Sequence, residues 1–294
     1  NGKGVLLVRS DADSVSVLAA RDQKLMGICH QLEINDASLE AARGLSNLVT
    51  DPTSFATYVH NRRLFPDYIP ATLEDLSIEH AWERERIREA LASLQALDPD
   101  FGYNLSQGLG NAYEPIILSR TGTQLSAPHQ GLMIALDSIL PHGITTFLQD
   151  EQQLLTALGS LAPFEPLLPV QVMDGEVFTN LATVINVDTS VPEGQLALQI
   201  EVNEGEKMTR LYHKIQTGEL KRIETQGNEK TELYLSPEEE SDVGMGMPGL
   251  GGWVTALRSK VGVVVDGRGR PLNLPSGEDS RAKTLHDWLW ELGG

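Results

Sequence analysis

Short segments of strand character alternate with helical segments over residues 5–161, and this alternation constrains the fold more than any other feature of the chain. Three strand-like segments come first, at residues 5–8, 15–20 and 26–32. Helical patterns follow at residues 38–48, at 52–61 and after Thr72, and strand-like residues 115–118 and 143–148 then alternate with helical residues 128–140 and 151–161. This arrangement favours a mixed sheet with helices packed against it.

The order of these elements is three strands, helices, strand, helix, strand and helix. A ribonuclease-H-like α/β domain, the unit from which the actin and Hsp70 ATPase fold is built, has the same order. Residues 1–163 are therefore predicted to form such a domain.

The long helix after Thr72 is predicted to be amphipathic. Thr72, with Asp75 three residues later, resembles a capping box. Its buried stripe is assigned to apolar residues at helical spacing, namely Leu73, Leu76, Ile87, Leu91 and Leu94. The other face carries opposite charges three residues apart, Glu83 with Arg86 and Glu85 with Arg88, and we expect it to be a solvated surface.

Three closely spaced prolines, Pro163, Pro166 and Pro169, mark a predicted domain boundary, because such spacing opposes a continuing helix. Beyond them, strand-like segments lie at residues 170–173, 181–187, 195–202, 211–215, 231–235, 253–257 and 261–266. Residues 164–294 are therefore predicted to form a small antiparallel β-rich domain, a barrel or a sandwich, with a C-terminal helix over residues 280–292.

The charge balance excludes some classes of partner. Asp and Glu number 41 against 23 Lys and Arg, a net charge of −18, so the chain repels polyanions. Nucleic acid and membrane are therefore not expected as partners, and the chain contains no apolar run long enough to span a bilayer. The single cysteine, Cys29, favours a cytoplasmic location and is expected to be a small buried residue in a strand. Because the chain starts at Asn1 rather than at methionine, we expect it to be a fragment or a trimmed chain.

The turn between the first two predicted strands bears on nucleotide binding. Its residues are Arg9, Asp11, Ala12, Asp13, Ser14 and Val15, and none is glycine. A strand–turn–strand that holds a phosphate does so with backbone N–H groups, and glycine lets these approach closely. The carboxylates of Asp11 and Asp13 are expected to repel the ligand instead.

Other motifs support simpler interpretations. Residues 244–249 match the letters of the dinucleotide fingerprint, but no strand precedes them and no helix follows, which favours a flexible surface loop. The segment with Arg268 and Arg270 is read as an anion-binding turn or, preferably, as a plain hairpin turn. No two of the seven histidines have the spacing of a helical zinc pair, and no metal site is predicted.

The last helix contains a candidate partner anchor. Leu285, Trp288, Leu289 and Leu292 fall on one side of this helix, whereas Trp290 points nearly the opposite way. Trp290 is therefore either an exposed anchor for a protein partner or part of a helix that is buried on both sides.

Several of these segments resemble the glutamate mutase accessory protein family, also called MutL, which belongs to the actin and Hsp70 ATPase superfold. The resemblance is carried by residues 115–123, by Ala127-Pro128 with Gly131, and by residues 140–145 and 68–72. Residues 261–274 and the Trp-Leu-Trp of residues 288–290 resemble the tail of longer members. The resemblance implies the fold and, at family level, assistance to a cobalamin-dependent mutase.

The departures from the family pattern concern the nucleotide motifs. Where the family's phosphate hairpin has aspartate, two glycines and two threonines, this chain has Arg9, then Asp11 and Ala12, then Ser14 and Val15. Of the glycines expected where adenosine docks, only one remains among Ser119, Thr121 and Gly122. The resemblance therefore does not extend the Mg²⁺ anchor or the phosphate cradle to these positions, and no cofactor is predicted.

Three functions remain open at the level of sequence. The first is a non-catalytic scaffold or protein-binding module with a decayed nucleotide site, whose partner is another protein or an upstream domain. The second is part of an ATP-dependent, Mg²⁺-dependent reactivating chaperone for a cobalamin-dependent mutase. The third is a small-molecule binder at an interdomain cleft near residues 119–123 and 163–169.

Overall fold

A computed structural model of the chain describes residues 2–119, 126–173, 177–204, 209–225 and 229–293. The elements up to residue 161 are β1 (Gly4–Ser10), β2 (Val15–Arg21), β3 (Lys24–His30), α1 (Asp36–Arg43), α2 (Pro52–Leu64), α3 (Leu73–Leu97), β4 (Tyr103–Asn104), β5 (Gly108–Leu109), β6 (Tyr113–Ser119), α4 (Pro128–Ile139), β7 (Ile144–Asp150) and α5 (Leu154–Leu161). Those that follow are α6 (Leu167–Met173), β8 (Thr179–Asn186), β9 (Asp188–Thr189), β10 (Leu196–Glu204), β11 (Thr209–Gln216), β12 (Leu220–Ile223), β13 (Lys230–Pro237), β14 (Ser241–Asp242), β15 (Gly252–Leu257), β16 (Gly262–Asp266) and α7 (Glu278–Glu291).

An eight-stranded mixed sheet forms the centre of the molecule, with the order β12-β16-β8-β7-β6-β1-β2-β3. Strands β1, β2 and β3 form the predicted antiparallel meander, and β6 and β7 add to β1 in parallel. Strand β8 then pairs with β7 in the antiparallel sense, β16 runs parallel to β8, and β12 runs antiparallel to β16. The sheet therefore continues across residues 163 and 164, where the sequence predicts a domain boundary.

A second sheet has four antiparallel strands in the order β11-β10-β13-β15, as the alternating pattern of the second half predicts. The predicted strands that form β8 and β16 were expected in the same small unit, and this expectation is wrong because they belong to the large sheet. The reason lies in their apolar residues: all five residues of β16 are buried, which is typical of an interior strand covered on both faces.

Two hydrophobic cores cover the two faces of this part of the large sheet. On one face, Val184 and Val264 belong to the core that also contains residues of α3, α4 and the C-terminal helix. On the other face, Ile185, Val263 and Val265 pack with the inward side chains of the four-stranded sheet. Strand alternation therefore directs successive residues of β8 and β16 into different cores.

Helix α3 begins at the predicted capping box: the Asp75 N–H donates to Thr72 Oγ1 at 3.0 Å, and the Thr72 N–H donates to Asp75 Oδ2 at 3.2 Å. Of the predicted apolar stripe, Ile87, Leu91 and Leu94 are buried, but Leu73 is 79 % exposed because it lies at the first helical position, beyond the core.

The expectation of a solvated charged face on α3 is wrong. Glu83, Glu85 and Arg86 are buried, since α3 is covered by the sheet on one side and by the neighbouring helices on the other. The charges are paired inside the protein: Arg86 Nη1 lies 3.2 Å from Glu83 Oε2, and Arg88 Nη1 lies 3.8 Å from Glu85 Oε2. Buried charges are tolerated when they have partners of this kind.

Three smaller expectations are also corrected. Residues 170–173 are not a strand but the end of α6, in which Pro169 occupies the first turn, where a missing N–H costs little. Cys29 does lie in a strand, but it faces solvent. The Arg268 segment is not a hairpin turn, because β16 has its partners in β8 and β12 and the next element along the chain is α7.

The Arg268 segment instead completes a buried ion network between the two halves of the chain. Arg268 donates from Nε and Nη2 to Asp266 at 2.9 and 3.0 Å, and from Nη1 to Asp137 of α4 at 2.8 Å. Arg84 of α3 donates to the other oxygen of Asp137 at 2.9 Å, and Arg270 donates to Asp266 at 3.0 Å. All five side chains are at most 4 % exposed, and the Arg268 guanidinium lies 4.8 Å from the centre of the Trp288 ring.

The electrostatics of the network favour the charged form of its central carboxylate. Burial alone would raise the pKa of Asp266, but the guanidinium groups of Arg268 and Arg270 outweigh it and hold that pKa well below its usual range. Because the pKa in the folded state is depressed, the stabilising contribution of Asp266 is present above about pH 4 and is lost as the pH falls.

Asp266→Asn is expected to lower the free energy of unfolding by about 3–5 kcal/mol, because it leaves the buried guanidinium groups of Arg268 and Arg270 without their compensating charge. The measurement is urea denaturation at pH 7. Asp22→Asn is the matched control, since Asp22 is 64 % exposed and pairs with Arg21 at 3.5 Å, and such surface pairs contribute about 0–1 kcal/mol. Equal losses in the two variants would contradict a structural role for the network.

Candidate functional site

The carboxyl ends of three adjacent parallel strands bring together side chains from distant parts of the chain. Arg9 of β1 is the register partner of Ser119 of β6, and Ser119 is the register partner of Asp150 of β7. Ligands of open α/β sheets bind beyond the carboxyl ends of the strands. We call the group formed by Arg9, Asp11, Ser119, Asp150 and Thr156 the carboxyl-edge site.

Arg9 and Asp11 form a bidentate ion pair at the turn between β1 and β2. Arg9 Nε and Nη2 donate to the two carboxylate oxygens of Asp11 at 2.9 and 3.1 Å, and Arg9 Nη1 donates to Thr156 Oγ1 of α5. The turn is closed by the Asp11 N–H, which donates to the Ser14 carbonyl at 2.8 Å. Arg86 of α3 donates to the Asp11 carbonyl, so a cation from the buried face of α3 also holds the turn.

The members of the predicted phosphate hairpin are therefore placed as follows. Arg9 is the next-to-last residue of β1 and is half-buried, and Val15 is buried at the start of β2. Ala12 and Asp13 face solvent. The Asp11 carboxylate is not an isolated negative charge, because the Arg9 guanidinium lies against both of its oxygens.

Asp150 is the buried end of β7, and its carboxylate accepts three hydrogen bonds. Ser119 Oγ donates to Oδ2 at 3.1 Å, the Leu154 N–H donates to Oδ1 at 2.8 Å and the Leu155 N–H donates to Oδ2 at 3.2 Å. The first N–H groups of a helix have no partner within the helix and attract anions. The first turn of α5 is thus already capped by an anion of the protein itself.

These contacts determine what the site can bind. A phosphate cradle needs free N–H donors and a closely approaching backbone, whereas here the Leu154 and Leu155 N–H groups are engaged by Asp150. The family resemblance would place a Mg²⁺-anchoring carboxylate at the position of Arg9, which here is a cation held by Asp11 and Thr156. At these positions the described residues therefore offer a capped helix turn and a cation, rather than free N–H donors and a carboxylate.

The predicted adenosine position is described only in part. Ser119 is buried and bonded to Asp150, while Thr121 and Gly122 lie outside the described residues. At the far side of residues 120–125, Ser126 Oγ lies 2.7 Å from His80 Nε2 of α3. His80 is buried, and its burial together with the nearby charges of Arg84 and His129 lowers its pKa to about 3.

The other predicted site residues do not join this site. Arg268 and Arg270 belong to the buried ion network, where their guanidinium groups are held by aspartates rather than open to an external anion. The glycine-rich segment of residues 244–249 is a loop with residues 246–249 exposed, as the sequence predicts, and only its start packs closely against the protein. A Cβ atom on Gly244 would lie 2.5 Å from the Cα of Gly143, so glycine is needed there for close packing.

The C-terminal helix matches the predicted division of its faces. Leu285, Leu289 and Leu292 are buried and Trp288 is half-buried, whereas Trp290 is 67 % exposed. The helix is therefore not buried on both sides, and Trp290 faces outward; its role as an anchor for a protein partner stays a prediction.

Comparison with known proteins adds no assignment. No protein-family model matches the chain, and no curated protein has a significant sequence match to it.

Within the part of the chain that the structure describes, two kinds of feature are absent. No helix there has both the length and the apolar composition to cross a membrane. No cluster of three or more His, Cys, Asp or Glu side chains there is placed to hold a metal ion.

Sequence reasoning missed Asp150 and Thr156. The signal for Asp150 was present, since it follows the predicted strand at residues 143–148, and polar residues at the carboxyl ends of parallel strands tend to meet at one edge. Thr156 had no signal, because its contact with Arg9 depends on how α5 packs after the strand.

Asp150→Ala is expected to lower the free energy of unfolding by about 2 kcal/mol, because it removes the cap of α5 and leaves the buried Ser119 hydroxyl without its acceptor. Chemical denaturation measures the change. Asp13→Ala, at an exposed position of the β1–β2 turn, should stay within about 0.5 kcal/mol of the parent chain. An Asp150 variant as stable as the parent would rule out the capping role.

Acidification should destabilise the parent chain through His80. With a folded-state pKa of about 3, below the ordinary value of 6.5, the unfolded chain binds a proton that the folded chain excludes between these pH values. Stability is therefore lost as the pH falls, by about 2 kcal/mol between pH 7 and pH 5.

A variant without this titration, His80→Gln, should lose correspondingly less stability over the same interval, measured by urea denaturation at each pH. His286→Gln is the control, since His286 is exposed on α7 and its replacement should leave the pH dependence of the parent unchanged. Parallel pH profiles for the parent and His80→Gln would refute the assignment.

Proposed function

We propose that this chain is a non-catalytic, protein-binding relative of the glutamate mutase accessory proteins, built on a ribonuclease-H-like domain whose nucleotide site has decayed. The observation that carries the proposal is the state of the carboxyl-edge site, where the protein's own Arg9–Asp11 pair and Asp150 carboxylate use the groups that a nucleotide would need.

The order of the strands supports the fold part of the proposal. Strands β3-β2-β1-β6-β7 lie side by side in the large sheet, the first three antiparallel and the last two parallel to β1. A ribonuclease-H-like domain has this order and these directions, and it places its ligand at the edge where Arg9, Ser119 and Asp150 lie. The argument is one of fold-level analogy, and it bears on where a site would be rather than on what it does.

The loss of chemistry at this edge supports the non-catalytic part. In an ATPase of this fold, backbone N–H groups and a carboxylate-bound Mg²⁺ stabilise the charge on the transferred phosphoryl group. Here the hairpin offers Arg9 in place of the carboxylate, and Asp150 already neutralises the first turn of α5.

An exposed apolar stripe supports the protein-binding part. Five large apolar side chains recur every three residues through α5 and α6, and they are Leu161, Phe164, Leu167, Val170 and Met173. Their exposed fractions range from 44 % for Leu161 to 84 % for Phe164, and α6 has no buried residue. Large exposed apolar side chains mark an interaction site in a folded protein where they form a patch.

The test is a thermal melt of the purified chain in three conditions: without ligand, with millimolar Mg²⁺ alone, and with millimolar Mg–ATP. We expect the melting temperatures with Mg–ATP and with Mg²⁺ alone to agree within about 1 °C, because Asp150 engages the first N–H groups of α5 and Arg9 stands where the Mg²⁺-anchoring carboxylate is expected. A nucleotide present at about 100 times its dissociation constant would stabilise the folded state by about 2.7 kcal/mol, which for a chain of this size is a shift of about 4 °C.

A shift of that size with Mg–ATP but not with Mg²⁺ alone would contradict a decayed site. It would favour the alternative, an ATP-dependent reactivating chaperone. Repeating the melt with Asp150→Asn distinguishes the location, since nucleotide binding at the carboxyl edge should change when the residue that engages the α5 N–H groups is replaced.

A further inference from the structure

The outer face of the four-stranded sheet carries aromatic side chains in one row. Tyr212 of β11 is the register partner of Glu201 of β10, Glu201 is the partner of Tyr234 of β13, and Tyr234 is the partner of Trp253 of β15. The row therefore crosses all four strands on the side away from the core. Tyr212 is 67 % exposed, Trp253 is 57 % exposed and Tyr234 is 37 % exposed.

We propose that this row is a binding site for an arginine side chain in an extended basic segment of a protein partner. The guanidinium would lie between the rings of Tyr212 and Tyr234, above the carboxylate of Glu201. The flanking Trp253 ring, whose centre lies 5.1 Å from that of Tyr234, would contact the next part of the segment. We call the four residues Tyr212, Glu201, Tyr234 and Trp253 the aromatic row.

The spacing of the strands suits a flat cation. Neighbouring strands lie about 4.8 Å apart, so two side chains that flank a third across a sheet are separated by about 10 Å. A planar group stacked between two rings needs about 3.5–4.0 Å on each side. Stacking on both sides thus takes about 7–8 Å, so the gap of about 10 Å between Tyr212 and Tyr234 admits a guanidinium, and Glu201 places a carboxylate at the base of that gap.

The chemistry of the row favours a cation over other ligands. Tyrosine and tryptophan rings attract cations to their faces, and arginine is the side chain most often found there. Glu201 makes other interactions within the protein. A carboxylate has two oxygens with room for about four donors, so an added guanidinium does not require it to lose a partner.

The charge of the surroundings points to a basic protein segment. Glu232 lies on the same face, beside Thr255, and the whole chain carries a net charge of −18. Such a field raises the local concentration of a basic segment and repels nucleic acid. Lys214 lies on this face in the neighbouring row, beside Gln199, and should direct the basic segment towards Glu201 and Glu232.

This inference concerns a surface separate from the carboxyl-edge site. It assigns a partner chemistry to one face of the chain, and it holds whether or not the nucleotide site has decayed. A nucleotide-induced shift in melting temperature would therefore contradict the proposed function without affecting the aromatic row.

The test is isothermal titration calorimetry of the full chain with a hexa-arginine peptide, in buffer of physiological ionic strength, which measures the dissociation constant of the peptide. Glu201→Gln and Tyr212→Ala should each weaken binding roughly five- to tenfold. Both side chains are on the outer face, and unchanged thermal melts would verify that the variants fold. Glu239→Gln removes the same charge at an exposed position outside the row and should bind the peptide as the parent does.

Two further ligands separate this proposal from its alternatives. A hexa-lysine peptide should bind several-fold more weakly, because its ammonium groups are not planar. If the two peptides bind equally, or if Glu239→Gln and Glu201→Gln weaken binding equally, then peptide binding depends only on the net charge of the chain. Either result would overturn the proposal. Binding of neutral cellohexaose that is lost in Tyr212→Ala, without specific peptide binding, would identify a sugar-binding face and would also overturn it.

Discussion

The buried pairing of Arg268 with Asp266 and Asp137 is the interaction on which the arrangement of this molecule depends. Asp137 lies in α4, in the first half of the chain, whereas Asp266 ends β16, near the C-terminus. Arg84 of α3 binds the same carboxylate of Asp137, so the two guanidinium groups together link two helices and a strand. Removing charges from water is costly unless each one has partners, and this requirement makes the whole set sensitive to the position of each member.

The network also explains why the sheet can be continuous although the sequence changes character near residue 163. Strand β8 runs antiparallel to β7, and β16 follows the direction of β8. The carboxyl end of β16 therefore lies at the edge of the sheet opposite to the ends of β1, β6 and β7. One edge is closed by the arginines and aspartates of the network, and the other by Arg9, Asp11 and Asp150. At both edges, charged side chains of the protein are paired with one another.

Local features of this fold could be predicted from the sequence, and features that depend on packing could not. The capping box of Thr72 and Asp75 is formed by residues three apart, so its geometry is contained in the sequence itself. The burial of Glu83 and Arg86 could not be predicted from local sequence, because it depends on the helices and the strands that cover α3. Charged residues at helical spacing have the same sequence pattern whether they face water or a partner. Only the elements packed around the helix determine whether those residues are buried. The candidate site divides in the same way: the hairpin from Arg9 to Val15 was visible as a motif, but the role of Asp150 depends on where α5 starts.

The aromatic row follows the same logic at a larger distance. Tyr212, Tyr234 and Trp253 are far apart in the sequence, and nothing in their spacing indicates that they meet. They form a row because the register of three strand pairings aligns them, and a shift of one residue in any pairing would turn the aromatic residue of that strand towards the core. That register is itself held by the inward residues Leu198, Ile200, Leu233 and Leu235, which pack on β8 and β16. The outward surface of the second sheet is thus specified by the same hydrophobic core that joins it to the first sheet.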